Sequence, residues 1–154
     1  MMNFLTYNPL IYSAFMGMLV AQVAKVILIL ALEKRLALDR LTETGGMPSS
    51  HSAAVAALST ACGIQYGVES PYFAIAIVFG AIVIYDATGV RRAAGRHAEI
   101  LNSLIVELSH LFEEGNSPKA LKTLLGHTYP QVFMGTLLGV VVGFLCMGSL
   151  NLTP

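Results

Sequence analysis

Apolar residues gather into four segments separated by short polar stretches. The first runs from Leu10 to Leu32, enough to cross a bilayer of about 30 Å at about 1.5 Å per residue. The second starts at Ser52 and ends near Tyr66. It is short and rich in alanine, the composition of a helix packed among other helices. The third spans Tyr72 to Val90 and the fourth Val132 to Leu150, where Gly135, Gly139 and Gly143 recur every four residues as a face for close helix contact. The pattern predicts an all-α integral membrane bundle of about four transmembrane helices, with residues 1–154 forming a single membrane-embedded domain.

Between the third and fourth segments the period changes. Ile100, Leu101, Leu104, Ile105, Leu108, Leu111 and Phe112 share one helical face, with Glu99, Asn102, Ser103, Glu107 and His110 mostly opposite. This reads as an amphipathic helix at the membrane interface or folded back on the bundle. EEGNSP breaks it, and Ser117 with Pro118 predicts the cap and first turn of a short helix ending near Gly126.

Composition supports the membrane assignment. The 154 residues are 55% hydrophobic and 12% charged, with a mean hydropathy of +0.69, whereas a soluble domain carries about 25% charged residues. The formal net charge of zero provides no basic field for nucleic acid. Cys62 and Cys146 lie in apolar runs and read as small buried hydrophobes. The N-terminus has neither the basic region nor the small-residue cleavage site of a secretory signal, so the first segment is expected to be retained.

Charge position predicts orientation. Lys34, Arg35 and Arg40 follow the first segment, and Arg91, Arg92, Arg96, Lys119 and Lys122 lie between the third and fourth. The N-terminal stretch, residues 67–71 and the C-terminal tail contain no Lys or Arg. The positive-inside rule therefore puts both termini outside and both basic loops in the cytoplasm.

On that topology the unusual polar residues meet at one depth. TGGMPSSH, residues 44–51, closes the first cytoplasmic loop; Asp86, Arg91, Arg92 and His97 follow the third segment; GHTYPQ, residues 126–131, opens the fourth. Gly45 and Gly46 leave backbone amides uncovered, Ser49 and Ser50 can cap the next helix, and His51 falls in its first turn. A helix N-terminus suits an oxyanion, and a histidine there is placed to protonate a leaving oxygen. An ordinary capped start would need one serine, and accounts for neither the double glycine nor the histidine.

MPSSHS resembles the PSGH motif of the type-2 phosphatidic acid phosphatase superfamily, which also contains vanadium haloperoxidases. Together with YDATGVRRAAGRHAEILN and LGHTYPQVFMGTLLG, it is similar to the divergent branch of that superfamily, small bacterial and plastid membrane proteins, over roughly residues 10 to 150. The resemblance implies a histidine nucleophile that takes the phosphoryl group, a second histidine as acid, and Arg and Lys around the phosphate oxygens. His51 matches the acid, although Ser50 stands where the family has glycine.

Two histidines match the nucleophile. His127 opens a run similar to HxPxDxxxGxxxG, with Gln131 in place of the orienting aspartate. Arg91 and His97 reproduce an Arg-x5-His spacing, with Leu101 at the aspartate position. His127 has the better context. The resemblance then implies a phosphate site of Gly46, Ser49, Ser50, Arg91, Arg92 and Lys122, supported by Asp86, Gln131 and Arg40. The Lys-x6-Arg-Pro motif has no clean counterpart: Lys34 and Arg40 are closer together, and no proline follows. Lys25, inside the first segment, either faces the bundle interior or snorkels.

These readings lead to a membrane phosphatase acting on a lipid phosphate or prenyl (di)phosphate through a phosphohistidine at the cytoplasmic face, with no cofactor. Its expected partners are membrane lipids and that substrate, and a homo-oligomer is compatible with the chain. A trio of Asp86, His97 and His127 is the metal alternative, without supporting spacing. Two other classes remain: a non-catalytic binder or transporter of lipid phosphate, and a structural subunit of a membrane complex.

Overall fold

The computed structural model describes residues 8–34, 45–108, 119–123 and 125–151, excepting the side chains of 150 and 151. Among the described residues five helices follow in order: α1 (Pro9–Glu33), α2 (Ser50–Tyr66), α3 (Pro71–Thr88), α4 (Val90–Glu107) and α5 (Tyr129–Asn151). Arg35, Arg40, His110, Leu111, Phe112, Ser117 and Pro118 lie outside the described residues.

Local signals fix the helix starts. Asn8 Oδ1 accepts from the amides of Leu10 and Ile11 ahead of α1, and Pro9 takes the first turn, where its missing N–H costs nothing. Ser49 caps α2 and Ser70 caps α3, which begins with Pro71. Among the described residues three elements are long and apolar enough to cross a membrane: α1, the run from α3 into α4, and α5 over Tyr129–Ser149.

The fourth expected span is α2, and it differs in kind. It has 17 residues and is packed against α1, α3 and α5. Ala53, Ala57 and Ala61 are fully buried, while Ser59 and Thr60 return their hydroxyl protons to the carbonyls of Val55 and Ala56. A helix sleeved by others needs no lipophilic surface of its own. The lipid-facing side chains lie on its neighbours, among them Ile27 and Leu30 of α1, Ile75 and Ile82 of α3, and Phe144 and Leu145 of α5.

Glycines make this sleeve tight. A Cβ on Gly135 would meet the Ser49 carbonyl, one on Gly139 the Ala53 carbonyl and Cα, and one on Gly143 the Ala57 carbonyl and Thr60. Gly17 of α1 approaches Ala53 and Ala57 from the other side. The glycine face is thus consumed within the chain. Gly139→Leu should force α2 and α5 apart against backbone, and yield little monodisperse protein on detergent gel filtration beside wild type; normal yield would refute this packing argument.

The amphipathic helix begins about ten residues earlier than its apolar face suggested, because α4 leaves α3 at once through Gly89. Gly89 donates to the Tyr85 carbonyl and accepts from Ala93, so helical bonding continues on both sides of the joint. The short helix expected up to Gly126 is not formed over 119–123 and 125–126. Asn102 of α4 instead captures both backbone groups of Leu121, donating to its carbonyl at 2.9 Å and accepting from its amide at 2.8 Å. Gly95 allows the Thr123 and Leu125 carbonyls to press against α4. The stretch becomes an extended strap that delivers His127 to the end of α3.

Candidate functional site

The ends of α3 and α5, the start of α2 and the strap converge at one end of the bundle. The loop before α2 turns inward. Gly45 and Gly46 have φ of 118° and 79°, conformations glycine adopts without strain, and Pro48, Ser49 and Ser50 are buried. Ser49 donates its amide to the Gln131 carbonyl at 3.0 Å and accepts the Ser52 hydroxyl at 3.0 Å. The opening loop is therefore bound to the first turn of α5.

His127 is the innermost histidine, 5% exposed. Its amide donates to the Ala87 carbonyl at 2.9 Å, at the end of α3. Gly126, with φ 79°, fits against Arg92 and Ala87 where a side chain would collide. The Gln131 Oε1 accepts the Thr128 amide at 3.0 Å and lies 3.2 Å from His127 Nδ1. Because the Thr128 N–H can only donate, the atom facing it is the amide oxygen, and that oxygen can only accept from Nδ1. His127 thus carries its proton on Nδ1, and Nε2 keeps its lone pair.

Burial pushes the His127 pKa below its usual 6.5. The Gln131 hydrogen bond opposes this, while Lys25, His51 and Arg91 add to the lowering. The ring is therefore neutral at neutral pH.

Two hollows flank His127. A small one of about 40 Å³ is lined by His51, Asp86, Arg91, Gly126 and His127, with Gly45, Val83, Ala87 and Leu125 completing its wall. His51 stands exposed at its mouth. The Arg91 Nε pairs with Asp86 Oδ2, which fixes a guanidinium at the rim. A larger one of about 330 Å³ reaches outward between α4, the strap and the glycine loop; Gly46, Arg92, Arg96, Glu99, Thr128 and Gln131 are among its residues.

Lys25 belongs to this region too. It is 1% exposed, and its stem packs on Gly46, 3.4 Å from where a Cβ there would stand. Its charge acts on both His51 and His127. Lys25 therefore faces the bundle interior; it does not snorkel.

Not every expected residue joins them. His97 is exposed on α4 and Lys122 is exposed on the strap, and neither lines a hollow. Ser49 and Ser50 are buried beneath the loop and also line neither; Ser49 serves the helix start. Arg40 lies outside the described residues. Among the described residues no three His, Cys, Asp or Glu side chains are grouped to hold a metal, so Asp86, His97 and His127 do not assemble as a trio. Cys62 and Cys146 are free and buried.

Sequence reasoning passed over Arg96 and Glu99. Their signal was available in the spacing of Arg92, Gly95, Arg96 and Glu99, at i, i+3, i+4 and i+7 on one helical face.

These features define a membrane-embedded helical protein with two histidines and an arginine gathered around one hollow at an end of its bundle. Residues 6–142 match the Divergent PAP2 family, and the chain belongs to it. It is 41% identical over 150 residues to "Uncharacterized membrane protein YuiD" of Bacillus subtilis (strain 168), covering 92% of this chain and 94% of that protein. No solved structure matches the chain.

Proposed function

We propose that this protein is a membrane phosphatase that hydrolyses a lipid phosphate or prenyl (di)phosphate at the cytoplasmic face. One observation carries the reading: His51 and His127, from separate parts of the chain, line the same small hollow beside Arg91. Sidedness rests on the Lys and Arg distribution.

In this reading Arg91 and Arg92 hold the phosphate oxygens, Lys25 adds positive charge from beneath the glycine loop, and that loop offers its amides. The Nε2 of His127 attacks phosphorus as the bond from phosphorus to the lipid oxygen breaks. Protonated His51 gives its proton to that oxygen, releasing the lipid alcohol (or, from a diphosphate, the monophosphate). Water then attacks the phosphohistidine, His51 takes its proton, and the N–P bond breaks to release inorganic phosphate. Burial, with the charges of Arg91 and Lys25, lowers the His51 pKa; the entering phosphate charge opposes this, and the exposed position of His51 keeps it in proton exchange with solvent.

Gln131 favours a second reading, a lipid-phosphate carrier without hydrolysis. Its amide orients the ring but cannot stabilise an imidazolium as a carboxylate does. Gln131→Asp separates the two. In a phosphatase the carboxylate raises the His127 pKa and steadies its charged form, so phosphate release rises by about tenfold or more. The acid limb of the pH–rate profile, below pH 6.5 in wild type because burial lowers the His127 pKa, moves upward. Unchanged zero release in both proteins, with lipid phosphate still bound, would establish the carrier instead.

A further inference from the structure

A third hollow lies away from the histidines, within the apolar part of the bundle. Both α3 and α5 pack on α2 but scarcely touch each other, which leaves a groove of about 360 Å³ over α2. Val55 and Thr60 form part of its floor, Phe73, Ile77, Gly80 and Ile84 one wall, and Thr136 and Val140 the other. The floor hydroxyls of Ser59 and Thr60 are bonded to their own helix, so the groove offers hydrocarbon.

We propose that this groove holds one apolar chain of the lipid whose phosphate occupies the His51–His127 hollow. The proposal rests on reading that hollow as a phosphate site. Register links the two. On α2, Val55 is one turn below His51; on α3, Gly80 and Ile84 of the groove are one turn from Val83 and Ala87 of the hollow. Cationic Arg91 and Lys25 therefore stand at one end of a hydrocarbon trough, matching a phosphate with a tail.

Size restricts the occupant. From Phe73 to Ile84 the wall runs about 16 Å at 1.5 Å per residue, close to half the roughly 30 Å hydrocarbon thickness. A trough of that length between two helices admits one chain; a second chain on the same lipid would remain among bulk lipids. The opening at Gly80 determines the fit. A Cβ there would rest 3.6 Å from Val55, in ordinary contact, so alanine fits and a larger side chain fills the trough.

The test uses full-length protein in phosphatidylcholine vesicles with a dodecyl phosphate carrying a diazirine at its far end. Photolysis should label Phe73 and Ile77, and Gly80→Phe should lower that label at least tenfold. Thr136→Leu, from the opposite wall, should do the same if Gly80→Phe fails to fold. The matching alcohol, without phosphate, should not favour the groove. Label spread equally over outward residues such as Ile82 and Leu145, label indifferent to both fillings, or crosslinking of the groove to a second copy's helix would each overturn the proposal. Phosphate release from the same samples keeps the two readings apart. Groove label without release leaves the groove and removes the phosphatase; release without groove label does the reverse.

Discussion

His127→Ala should lower phosphate release from a lipid phosphate by on the order of 10⁴-fold, the scale lost when a covalent nucleophile is removed. His97→Ala should stay within about twofold of wild type, because His97 is exposed and lines neither hollow. Single-turnover assays with ³²P-labelled substrate would separate them. A radiolabelled, acid-labile phosphoenzyme should form in the wild type and in His97→Ala but not in His127→Ala. Its persistence in His127→Ala together with loss in His97→Ala would transfer the nucleophile to α4. His51→Ala should slow lipid release by about 10² to 10⁴-fold, as expected for loss of a general acid, with a smaller penalty for substrates whose leaving group needs no proton.

Lys25→Met should depress phosphate release by about 10²-fold or more, the cost of losing one fixed charge from a desolvated oxyanion site. Methionine keeps much of the stem that packs on Gly46, so turnover per folded molecule, rather than yield, carries the comparison. Lys25→Arg keeps the charge but not the shape, and should restore only part of the rate. Melting curves read beside phosphate release decide the matter. A large loss of stability in Lys25→Met with near-normal turnover per folded molecule would make Lys25 structural.

Periodicity carried most of the fold. Four apolar runs, with Ser49 and Ser50 ahead of the second, indicate the helices; the caps Asn8 and Ser70, each followed by proline, set the other starts in the structure. The strap was not legible, because nothing in residues 119–126 announces that Asn102, some twenty positions earlier, will take the backbone groups of Leu121. Side-chain capture of backbone at long range leaves no period.

For the site, histidines 51 and 127 were legible as members of motifs, and their shared hollow was anticipated from topology. Depth was not. Lys25 could have pointed to lipid headgroups or to the interior, and only the packing of α1 on the inturned glycine loop decides between them. Nor could spacing separate His97 from His127. Arg91 and His97 are six apart, which turns them to different sides of α4, whereas Gln131 returns to His127 across one turn.

The sleeved helix also bears on biogenesis. With 17 residues, serines at 50, 52 and 59 and a threonine at 60, α2 is a poor substrate for insertion into lipid by itself. Its carbonyls at 49 and 57 lie against glycines of α5, and that at 53 between Gly139 of α5 and Gly17 of α1. The fifth helix thus completes both the packing of α2 and, through the Ser49–Gln131 bond, the gathering of the glycine loop with His127. A chain cut before α5 would leave α2 without the face that covers it. Packing of the bundle and assembly of the candidate site thus depend on the same helix.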